Sequence, residues 1–173
     1  MGRARTSSGE WTLWVVALSC ALHATEEFFT GWQPWARETL GILMPTTVFL
    51  GMNAALVIAA LLLAPIGWQR PALTLVIPVA TFVNAVCFHI LPTVLTGHVS
   101  PGLYTATVLY LPFSSWAVVA AARHGAPRTA LRTALLVGAT LAIGVVIAAR
   151  WLGGAGDVEG QASLCAPPNV RCG

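Results

Sequence analysis

Five apolar stretches, each about as long as a bilayer is thick, limit what this chain can fold into. They cover residues 11–30, 42–64, 72–96, 102–122 and 131–150, with short turns between them. A helix needs about 20 residues to cross the hydrocarbon core. Inside that core only helices and closed barrels satisfy every backbone amide. The chain is 57% hydrophobic and 9% charged, with mean hydropathy +0.77, whereas a soluble domain carries about 25% charged residues. The expected fold is all-α: a polytopic membrane helical bundle of about five transmembrane helices over residues 1–152, followed by a loose tail over 153–173 rich in glycine and proline. The first stretch follows Arg3 and Arg5, as a signal peptide would. It outruns a signal core and four more stretches follow, so it is expected to be retained.

All nine basic residues are arginine and the net charge is +3. With the N-terminus in the cytoplasm, Arg3, Arg5, Arg70, Arg123, Arg128 and Arg132 lie inside, and Arg37, Arg150 and Arg171 outside. That bias follows the positive-inside rule. It predicts a multi-pass protein of the cell membrane with an extracytoplasmic C-terminus. Cys165 and Cys172 would then share an oxidising space and could pair, whereas Cys20 and Cys87 read as small buried apolar groups. The charge speaks to topology; no nucleic-acid motif is present and no nucleic-acid partner is expected. The sequence leaves the oligomeric state open.

The first stretch also carries His23-Ala24-Thr25-Glu26-Glu27. An ionisable group at the centre of a membrane helix costs roughly 2.5–3.5 kcal/mol on insertion scales, so three clustered ones point to a functional site turned away from lipid. His23, Glu26 and Glu27 are three and four residues apart and can share one helix face. His23 lies seven residues before Thr30, and His89 seven before Thr96. At ~1.5 Å per residue both are roughly 10 Å from the same end of the bundle. His23, Glu26, Glu27 and His89 are therefore the candidate catalytic residues. Asn84, Tyr104, Trp32 and Phe88 are candidates for binding substrate, although five steps of 100° turn Asn84 away from His89. Pro78, Pro92 and Pro112 interrupt apolar stretches, and Pro92 frees the carbonyl of Phe88 beside His89.

His23-Ala-Thr-Glu26-Glu27, His89 and the Ser100-Pro101-Gly102-Leu-Tyr-Thr-Ala run, in this order over residues 11–122, resemble the small integral membrane proteins named for their HXXEE motif. That family has tyrosine at the position of Val99, so a hydroxyl is missing here. The resemblance implies a site and names no reaction. A looser likeness is to emopamil-binding-protein-type isomerases and small membrane terpene cyclases, which also set carboxyls or histidines against a lipid inside a helical bundle.

Three functional classes fit these residues. The first is acid–base chemistry on a lipid or isoprenoid, a proton-initiated isomerisation or cyclisation that needs no cofactor. A carboxyl group in low dielectric resists ionisation, so Glu26 or Glu27 is the expected acid, with His23 and His89 orienting or accepting. Phe28, Trp32, Phe88 and Tyr104 could face a carbocation. The second is a metal-dependent hydrolase or oxygenase, with zinc or non-haem iron held by His23, Glu27 and His89 and Glu26 as base. The third is proton or ion transport, which small size and the lack of inverted repeats disfavour. The bland alternative is helix glue, but interhelical polar contacts average only about 0.6 kcal/mol.

Overall fold

A computed structural model describes residues 9–164. Those residues form helices joined by short turns, with no strand among them. We number the helices α1 (Trp11–Thr30), α2 (Trp32–Leu40), α3 (Thr46–Leu63, prolonged by a 3-10 turn over Ala64–Gln69), α4 (Pro71–Thr96), α5 (Leu103–Arg123) and α6 (Arg128–Leu164). Four segments are long and apolar enough to cross a membrane: Thr46–Gln69, Pro71–Thr96, Leu103–Arg123 and Arg128–Ala148. The protein is thus a helical membrane protein. The first helix has the length, at 20 residues, but His23, Glu26 and Glu27 make it less apolar than these four. The last helix continues past Gly153, where the tail was expected to start, to Leu164. Cys165 and Cys172, the expected disulfide pair, lie outside the described residues.

The first helix is amphipathic in the membrane sense, with polar and small residues inward. Leu13, Val16, Ala17, Cys20, His23 and Glu27 are buried, while Trp14, Leu18, Leu22 and Phe29 are exposed. That spacing of three and four keeps one stripe facing the bundle. The helix packs against α3 on one side and α5 on the other. In turn α5 packs on α4, and α4 on α6. Small residues let the backbones approach, since lipid is as apolar as any side chain and close van der Waals contact drives association. Ala106, Ala117 and Ala121 on α5 and Ala80 and Ala85 on α4 are buried in this way. At Gly138 of α6 a side chain would come within 2.7 Å of the Val76 carbonyl. A hydrogen bond of 2.7 Å between the Thr81 and Ser114 hydroxyls also ties α4 to α5.

The connection over residues 31–41 forms the short helix α2. It buries Trp32 and Ala36 against Ile42 and Phe49. Trp32 stacks on Phe49 with ring centroids 5.9 Å apart.

Candidate functional site

Three helices meet at the site. His23 and Glu27 come from α1, one turn apart on the inward stripe, and His89 comes from α4. Both imidazoles are at most 2% exposed, and the Glu27 side chain is 7% exposed. Glu27 Oε1 lies 3.4 Å from Nε2 of His23 and 3.4 Å from Nε2 of His89. The two rings meet edge to face with centroids 4.7 Å apart. The Tyr110 ring of α5 tilts over His23 at 4.4 Å.

The far nitrogen of each imidazole has its own partner. Nδ1 of His23 is 2.8 Å from the Thr105 hydroxyl, and Nδ1 of His89 is 3.0 Å from the Ser100 hydroxyl. Thr105 donates its proton to the Gly102 carbonyl at 3.3 Å. Ser100 donates to the carbonyls of Pro101 at 3.3 Å and Phe88 at 3.4 Å. We assign Nδ1–H to both histidines on this pattern, with each hydroxyl accepting from the imidazole and turning its own proton to a carbonyl. Both Nε2 atoms are left as lone pairs, buried and without a hydrogen-bond partner among the described residues. Both lie 3.4 Å from the same carboxylate oxygen. Three acceptors converging in a buried site repel one another unless a proton or a cation stands between them.

Gly102 forms the roof. Its φ is +88°, and a Cβ there would lie 2.8 Å from Glu27 Cγ and 2.9 Å from Cε1 of both His23 and His89. Only glycine combines that left-handed backbone with so close an approach.

Local helix geometry aims these groups. Residues Ala85–Ile90 of α4 and Ala106–Tyr110 of α5 form π turns, closed by hydrogen bonds from Leu91 to Val86 and from Leu111 to Ala106. Each is followed at once by Leu-Pro. Pro92 and Pro112 cannot donate, and each displaces the carbonyl four residues before it. Such turns are frequent at functional sites. They carry His89 and Tyr110 here, and Ser100 reaches the Phe88 carbonyl that Pro92 leaves without a helical partner.

The remaining sequence candidates lie as follows. Glu26 shares the helix but not the cluster; its carboxylate accepts backbone N–H groups of Thr105 at 2.8 Å and Tyr104 at 3.3 Å. Tyr104 is 69% exposed, and Phe88 is half-buried. Trp32 belongs to the cluster with Phe49. Asn84 ends the α-helical part of α4, with a buried and unpartnered Oδ1. The π turn that follows changes the 100° step, so residues five apart come closer to alignment than regular helix allows. Equal spacing from the helix ends put His23 and His89 at one level, but nothing in that spacing singled out Thr105, Ser100, Gly102 or Tyr110. For Ser100 and Gly102 a signal was present in the Ser-Pro-Gly run.

The chain could hold a metal ion at His23, Glu27 and His89, whose donor atoms all lie within 4.8 Å of one another. Ligands of a tetrahedral ion with bonds of about 2.0–2.1 Å stand about 3.3 Å apart, close to the two imidazole–carboxylate separations of 3.4 Å. Histidines that bind metals characteristically donate their second N–H to a fixed partner, as both do here.

Among curated proteins and solved structures nothing matches the chain. A family model described as "Protein of unknown function with HXXEE motif" matches residues 14–117, which include His23, Glu27, His89 and Gly102. The chain belongs to the HXXEE-motif family.

Proposed function

We propose that this protein is a membrane-embedded metalloenzyme whose His23, Glu27 and His89 bind one divalent transition metal ion and act on a lipid-soluble substrate. One observation carries the reading: two buried imidazoles, each with Nδ1 already bonded to a hydroxyl, place both Nε2 atoms 3.4 Å from a single carboxylate oxygen. Two imidazoles and a carboxylate with further positions open suit zinc or non-haem iron. Such an ion supplies Lewis acidity toward a substrate oxygen or a water. The chain's own groups orient the imidazoles, exclude bulk water and hold the Tyr110 ring against His23.

Isomerisation or cyclisation started by a proton from Glu26 or Glu27 has less support. Glu26 is engaged with backbone amides, and a separation of 3.4 Å is long for a proton shared between Glu27 and an imidazole. A substrate from the lipid phase is supported by the bundle itself, since the site sits between helices of a membrane protein. The arginine bias supports an N-terminus in the cytoplasm of a cell-membrane protein and an outward-lying site.

Zinc or ferrous iron added to metal-free protein in detergent is expected to raise its thermal midpoint. A ligand at 100 times its Kd stabilises by about 2.7 kcal/mol. Glu27→Gln should abolish the rise. An equal rise in Glu27→Gln, or none in wild type, contradicts the reading.

A further inference from the structure

The two adjacent glutamates of the motif face different partners. Glu27 joins the imidazoles, and Glu26 reaches across to the start of α5. Gly102 occupies the cap position of that helix. A residue there ordinarily uses its side chain to accept the second and third N–H groups of the helix, here those of Tyr104 and Thr105. Gly102 has no side chain and can have none, because a Cβ would strike Glu27, His23 and His89. Glu26 accepts the same two groups from the neighbouring helix, at 3.3 and 2.8 Å. The residue it fixes most closely, Thr105, is the one whose hydroxyl receives Nδ1–H of His23 at 2.8 Å.

We propose that Glu26 is a positioning residue: it caps α5 from α1, holds the Thr105 hydroxyl against Nδ1 of His23, and so keeps Nε2 of His23 on the Glu27 side. The close approach of the α4–α5 turn to the site excludes an ordinary cap, and Glu26 replaces it. Ser100, not Thr105, holds His89, so the effect is specific to one histidine. Its consequence for metal binding rests on the metal reading above; the positioning itself does not.

The test is long-range proton–nitrogen NMR of metal-free protein labelled with nitrogen-15 in histidine, which reads each ring's tautomer without any metal. Wild-type His23 and His89 are both expected as Nδ1–H. Glu26→Ala should move His23 toward the Nε2–H form and leave His89 in place, as should Thr105→Val, and the double variant should go no further than either one. Glu26→Gln, which keeps an accepting oxygen, should retain most of the wild-type signal. Glu26→Asp keeps the charge but shortens the reach; it should shift His23 alone, and it serves if Glu26→Ala does not insert. In zinc titrations Glu26→Ala should bind about 10–100-fold more weakly and Glu26→Gln much less so. An unmoved His23 in Glu26→Ala or Glu26→Asp, or an equal shift of His89, overturns the proposal. Failure of wild-type protein to bind zinc, with these tautomer shifts intact, overturns the metal reading alone.

Discussion

Gly102 makes the sharpest demand on a single position. Alanine there must adopt a left-handed backbone, which costs roughly 1–3 kcal/mol, and must also push Glu27 and both imidazoles apart. Gly97 is a natural control, since its φ is +73° with nothing within 4 Å of a Cβ. Gly97→Ala is expected to lower stability in detergent by about 1 kcal/mol and leave metal affinity unchanged, whereas Gly102→Ala should lose both stability and metal. Equal metal affinity in the two variants would show that the roof does not shape the site. His23, Glu27 and His89 were legible in the sequence because ionisable groups in a lipid-length helix need a reason to be there, and because counting turns puts the histidines at one depth. The division between Glu26 and Glu27 was not legible. A helical wheel gives their angles on α1 but not which helix end lies opposite each.

At the scale of the helix, the two π turns are the features that periodicity missed. Hydrophobic patterning assumes a constant step, and one inserted residue leaves apolar positions looking ordinary on either side. The prolines were the visible trace: Pro92 pointed to a freed Phe88 carbonyl, and Ser100 donates to that oxygen. Ser100 thus serves the helix break and His89 Nδ1 together. Ser100→Ala removes the acceptor for His89 and a donor for Phe88. Loss of such a second partner typically weakens metal binding 10–100-fold, and a zinc titration should show a fall in that range. Unchanged affinity would mean that His89 is oriented by packing alone.

Across the whole molecule, the all-helical bundle followed from long apolar runs and short turns, and the observed helix ends lie within a few residues of the expected ones for most spans. The first helix departs from the simple picture, because the residues that make the site also lower its apolarity. Orientation rests on the placement of arginine, and that placement predicts opposite accessibility for the two exposed loop histidines. In a background without native cysteines, His98→Cys should react with a membrane-impermeant thiol reagent added outside cells, and His124→Cys should be protected until the membrane is opened. The reverse pattern would invert the topology while leaving the site intact.

Whether the buried His/Glu cluster holds a metal can be read from the metal content of the purified protein by mass spectrometry. Protein should be purified in detergent without chelator and shown to be folded. We expect close to one zinc or iron per chain in wild type, and a loss to background in His89→Ala and Glu27→Gln. Folded wild-type protein without metal, unable to take it up from solution, would contradict the metal reading and return the site to proton chemistry.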